Sequence, residues 1–140
     1  MTMRAEFNTE LFAKGLKNRQ EVLGAEHVKK SLDAATDFTA PMQKLVTEWC
    51  WGEIWGRPGL DRRTRSIINL SMLSALNRPH EIRLHVIGAL NNGLTQEEIM
   101  EILLQVAVYC GVPSALDSMK VVAEVLAEVA AKAKNAESAS

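Results

Sequence analysis

At 140 residues, 47% hydrophobic and with a formal net charge of −1, the chain has the size of one self-sufficient domain. It lacks the field that draws in nucleic acid or a membrane surface. Cys50 and Cys110 stand too far apart for a C-x-x-C redox pair or a zinc knuckle, so two reduced core thiols are expected. No long apolar run and no charged-then-apolar opening segment occurs, which predicts a soluble, cytoplasmic chain without a membrane partner.

Helical periodicity runs nearly throughout. Leu11, Phe12, Leu16, Val22 and Leu23 predict a first amphipathic helix closed by Gly24, and a short second one covers about residues 25–35. Pro41 sits where a first turn tolerates proline, and Met42, Leu45, Val46 and Trp49 recur at helical spacing. Gly56-Arg57-Pro58-Gly59 breaks the chain, and Asp61 is placed to cap a helix reaching about residue 77. Pro79 opens another that stops at Gly93. Thr95 and Glu98 form a capping box ahead of residues 99–108, which are apolar on nearly every side and so belong at a domain centre or between subunits. Val112, Leu116, Met119, Val122, Leu126 and Val129 give a last long stripe. Residues 1–131 are expected to form one helical domain and residues 132–140 a frayed polar tail. No alternating β pattern is present, so the fold class is all-α.

On the helix after Pro79, Glu81 and His85 lie four apart and share a face, with Arg78 two turns before His85. Gly88 and Ala89 leave room behind them. The plain alternative is a solvent-facing Glu–His pair contributing about 0.2–0.5 kcal/mol. Arg57, Arg62, Arg63 and Arg65 crowd a helix N-terminus, where positive charge is unfavourable. They form either a solvated basic turn or a carboxylate site, for which the guanidinium fork is suited. Glu48, beside Trp49 and Trp51, is expected to be partly desolvated and to hold a proton near neutral pH, unless it faces water. The three tryptophans read as core. His80 and His85 are five apart and out of line on a helix, so no metal is expected. There is no glycine-rich phosphate loop and no serine in a nucleophile elbow.

Longer strings narrow the reading. They include Arg19-x-x-Val22-Leu23-Gly24, Leu45-Val46-Thr47-Glu48, Arg57-Pro58-Gly59-Leu60-Asp61-Arg62-Arg63-Thr64-Arg65-Ser66, Ala75-Leu76-Asn77-Arg78 and Gly88-Ala89-Leu90-Asn91-Asn92-Gly93. Together they resemble the carboxymuconolactone decarboxylase family, in its 4-carboxymuconolactone decarboxylase branch, over nearly the whole chain. The resemblance implies an alkylhydroperoxidase-like bundle of about six or seven helices, no cofactor, and a homo-oligomer, trimer or hexamer. It also implies decarboxylation of a dicarboxylate lactone, 4-carboxymuconolactone, to 3-oxoadipate enol-lactone in protocatechuate breakdown. Peroxidase members of the wider group carry C-x-x-C, and those positions fall here on Arg78 and Glu81, so thiol chemistry is excluded. His27 and Trp49 stand where tyrosine is common, which bears on substrate preference.

For such a reaction His85 is the expected proton donor, as an imidazolium near its ordinary pKa, with Glu81 or Glu48 orienting it or sharing the proton. Arg63, Arg65 or Arg78 would clamp the remaining carboxylate, with His80 beside them. A related lactone or oxo-acid lyase or isomerase, and a non-catalytic subunit that kept the fold, are the competing readings.

Overall fold

The computed structural model describes residues 3–140, and every regular element among them is helical. A 3-10 turn, Ala5–Phe7, precedes α1 (Glu10–Leu23), α2 (Ala25–Asp33) and α3 (Ala40–Leu45). The last runs directly into a nine-residue π-helix, Val46–Ile54. After the turn at Gly56–Gly59 come α4 (Arg62–Ala75), α5 (Pro79–Asn91), α6 (Gln96–Cys110) and α7 (Val112–Ser138). The chain divides into two units, the first extending to Arg65 and the second running Ser66–Ser140.

In the first unit α1 packs chiefly on the π-helix and turns Phe12, Gly15, Arg19, Val22 and Leu23 inward. The approach is close because two glycines permit it. A Cβ added at Gly15 would stand 1.8 Å from the Thr47 carbonyl oxygen, and one at Gly52 would stand 2.8 Å from the Leu11 side chain. Gly24, at φ 95°, ends α1 in a conformation that side chains disfavour and lets α2 start at once. The Phe7 and Phe12 rings stack at 4.6 Å over buried Ala40.

The stripe expected from Met42, Leu45 and Trp49 does not face this core; their exposures are 61%, 50% and 60%. From Val46 onward the backbone bonds reach five residues back, as in Trp55 N–H to Cys50 C=O at 2.9 Å. The wider turn rotates successive side chains differently from a 3.6-residue helix. Thr47, Trp51, Gly52 and Trp55 are therefore the buried set, with the rings of Trp51 and Trp55 stacked at 4.8 Å.

The second unit has its own core, centred on Leu70, Ile82, Val86, Ile99, Leu103 and Val125. Burying each such side chain stabilises the fold by about 1.5–3 kcal/mol. Thr95 and Glu98 make the reciprocal capping box that starts α6. The hydroxyls of Ser74 and Ser118 meet at 2.7 Å, satisfying each other where α4 passes α7. Arg83 of α5 pairs with Glu128 and, at 3.9 Å, with Glu124 of α7.

Three expectations change here. α6 buries only Ile99, Ile102, Leu103 and Val106, while Met100, Leu104, Val108 and Tyr109 are exposed, so it is not central within the chain. Residues 132–138 continue α7 instead of fraying, in keeping with an Ala- and Lys-rich sequence of good helix formers. Cys110 is exposed, so only Cys50 is a partly interior thiol. Among the described residues no helix is long and apolar enough to cross a membrane.

Candidate active site

α5 begins at Pro79, whose fixed φ suits a first helical turn. Two residues on, Glu81 is exposed, and one turn further His85 is drawn part-way into the second unit, on a helix whose Ile82, Val86 and Ala89 are buried. Burial pushes the His85 imidazole below its ordinary value, with the Glu81 carboxylate acting in the opposite direction. The ring is thus neutral at pH 7, not the resting imidazolium that the sequence led us to expect. Arg78 and His80 are exposed at the entry to the same helix. Asn92, at its far end, donates to the buried Ser66 hydroxyl at 2.9 Å and fixes α5 against α4.

The arginine run begins with a sequence-legible cap. The Asp61 carboxylate accepts from Thr64 N–H at 2.7 Å, and that bonding, with Arg63 adding to it, holds Asp61 below the usual carboxylate range. Arg62 is committed to structure, donating to Asn18 Oδ1 at 2.9 Å and pairing with Glu21 at 2.7 Å. Arg65 is different. Its Nη2 reaches the Arg57 carbonyl at 3.2 Å, while its buried Nε has no partner among the described residues. Arg63 is partly buried and Arg57 exposed.

Glu48 overturns the reading given to it. Lys44, one turn earlier, pairs with it at 2.8 Å, and the Thr9 hydroxyl donates to its other oxygen. Lys44 first and Thr9 second hold Glu48 below the ordinary carboxylate value, so it stores no proton near neutral pH. Thr9 also accepts from Phe12 N–H at 3.0 Å as the N-cap of α1. Glu48 thereby fixes the start of α1 against the π-helix.

Arg19 is a candidate site residue that the sequence reading misses. It is 7% exposed, and its Nη1 donates to Gln43 Oε1 at 2.9 Å and to Thr47 Oγ1 at 3.1 Å. A signal existed: Arg19 occupies the inward register of α1 set by Phe12, Gly15 and Val22, where an apolar residue would be ordinary.

Residues 40–124 match the carboxymuconolactone decarboxylase family. A nitrosuccinic acid decarboxylase of Metarhizium robertsii is 48% identical over 114 residues, spanning 81% of this chain and 80% of that one. A 4-carboxymuconolactone decarboxylase of Acinetobacter baylyi is 39% identical over 118 residues, 84% and 88% of the two chains. An uncharacterised 15.0 kDa protein of Paracoccus denitrificans is 29% identical over 127 residues, 85% and 92%.

Proposed function

The chain belongs to the carboxymuconolactone decarboxylase family, and on that premise we propose that it removes carbon dioxide from a small dicarboxylic acid whose reacting carbon carries its own electron acceptor. The two named relatives support this class of substrate. In 4-carboxymuconolactone the acceptor is the lactone carbonyl, conjugated through the ring double bond to the carbon that loses its carboxylate. In nitrosuccinic acid it is the nitro group on that carbon. In both, the electrons of the broken C–C bond pass to oxygen as carbon dioxide leaves, and a proton then adds to carbon. Such chemistry asks the protein to hold the remaining carboxylate, to favour charge on the acceptor oxygen and to deliver one proton.

His85 is the proton donor in this scheme. Although neutral at rest, it faces an arriving dianion, and a nearby negative charge favours the imidazolium. Glu81, one turn away, adds to that preference. Arg78 and His80, exposed at the entry to the same helix, clamp the carboxylate that stays. Arg65, with its spare Nε, and Arg63 are carboxylate-binding candidates within the first unit. Exposed apolar rows such as Met100, Leu104 and Val108 support a homo-oligomeric working form.

The observation carrying the reading is a half-buried His85, with the exposed Glu81 carboxylate one turn before it, in a chain 48% identical to one decarboxylase and 39% identical to another. The sequence strings point to 4-carboxymuconolactone, and the higher identity favours nitrosuccinic acid. Purified protein offered each acid in turn should release carbon dioxide from one of them well above the spontaneous rate. Release from neither would sink the proposal, leaving a related lyase or isomerase or a non-catalytic homologue.

A further inference from the structure

We propose that Arg19 is the anchor of an anion site in the first unit, built on α1 and the π-helix, and that it takes a carboxylate of a small organic acid. Among the described residues, Arg19 is a buried cation held only by neutral groups. Its Nη1 meets an amide oxygen of Gln43 and a hydroxyl of Thr47, which is itself fully buried. Its Nε is buried with no partner among the described residues. A guanidinium removed from water without a compensating negative charge is costly, and one with an unbonded N–H is more so. Such an arrangement persists most readily when the missing charge arrives with a ligand.

The candidate counter-charge nearby is Cys50, which does interact with Arg19. Burial pushes that thiol above its ordinary value, against the pull of Arg19, so it stays neutral at pH 7. Among the described residues the cation is left uncancelled. A planar carboxylate suits it because the fork can donate two parallel bonds. The residue is not sealed, with 7% of its surface still reached by solvent. The backbone there is π-helical, an arrangement frequent at functional sites. That the carboxylate belongs to the decarboxylase substrate rests on the function proposed above; the anion site itself does not.

The test uses succinate, an unreactive four-carbon dicarboxylate, titrated calorimetrically into the full-length protein and into Arg19→Met and Arg19→Lys. Wild type should bind succinate at millimolar concentration or below. Arg19→Met should bind it about 10–100-fold more weakly, the range for losing a charge-assisted contact, and Arg19→Lys should fall between. Without ligand, Arg19→Met should melt no lower than wild type, since it removes an unpaired buried charge. On whichever acid is decarboxylated, Arg19→Met should raise KM about 10–100-fold and change kcat less.

No succinate binding by wild type, or equal binding by Arg19→Met, overturns the proposal. Tighter binding of inorganic phosphate than of succinate overturns the carboxylate assignment. An Arg19→Met protein with unchanged succinate affinity but altered mass in light scattering would show that Arg19 meets an acidic residue of a neighbouring copy instead. Succinate binding lost in Arg19→Met while neither acid is decarboxylated keeps the anion site and removes the enzymatic reading. Decarboxylation with the wild-type KM in an Arg19→Met protein that has lost succinate binding keeps both readings and overturns only the link between the anion site and the substrate.

Discussion

An imidazole that is neutral at rest and becomes charged beside an arriving anion links proton supply to substrate binding. Burial holds His85 below 6.5 in the free protein. If its protonated form is required, kcat/KM should decline as pH rises through that lowered value, while kcat, governed by the complex, should decline at higher pH. Coincident limbs in the two profiles would remove the link. His85→Gln should cut turnover about 10²–10⁴-fold in a protein that melts normally; unchanged turnover would pass the role to another group. The same depression bears on stability. Between the two values the unfolded chain binds more protons than the folded one, so stability is full above 6.5 and is lost as pH falls through the folded value. Arg65→Ala should weaken binding of a dicarboxylate analogue by about 10-fold or more, with Arg65→Lys restoring only part because an ammonium lacks the fork. Wild-type binding by Arg65→Ala would make that residue structural. At this scale the sequence shows what lies along one helix and little beyond it. Glu81 and His85 were legible because four-residue spacing fixes a shared face. The ionised state of Glu48 was not, since one of the two groups that hold it, Thr9, comes from thirty-nine residues away.

Caps and breaks at the level of elements follow from single residues, and they were largely readable. Asp61, Thr95, Gly24 and Gly93 each stand where a helix starts or stops. The π-helix was not readable, because Met42, Leu45, Val46 and Trp49 fit a 3.6-residue period and nothing in their types specifies the longer bond. Its consequence is large: it turns Thr47 toward Arg19 and leaves Trp49 outside. The contact that seats α1 on this helix depends on Gly15, where any Cβ would collide with the Thr47 carbonyl. Gly15→Ala should therefore destabilise the protein by about 1–3 kcal/mol or more, read from urea unfolding, because backbone cannot yield as a flexible side chain does. Gly59→Ala, with nothing within 4 Å of its new methyl group, serves as the control and should stay within about 0.5 kcal/mol. Equal effects at the two positions would mean that the α1 contact is looser than its geometry implies.

Burial decides at the scale of the whole molecule what periodicity leaves open. A helix apolar all round must be covered, and periodicity does not say whether its own chain or another copy covers it. α6 answers half of that question. Its Ile99–Leu103 side lies in the core of the second unit, while Met100, Leu104 and Val108 form a row on the other side with exposures of 45%, 47% and 81%. Tyr109, Val112 and Leu116 extend the apolar surface into the start of α7, at 79%, 56% and 60%. Patches of this kind are uncommon on monomers, and a stable interface buries about 1,200–2,000 Å². Covering by identical copies in a closed ring satisfies every such surface at once. The family resemblance implies a trimer or hexamer, for which light scattering should give three or six times the 15.5 kDa chain mass, and the melting temperature should rise with protein concentration. Leu104→Glu combined with Val108→Glu should break the assembly, because a carboxylate buried at a subunit contact has no partner there. Loss of activity in that variant, with its helical signal kept, would tie the assembly to the chemistry. A wild-type mass near 15.5 kDa at micromolar concentration would instead show that the row meets only water.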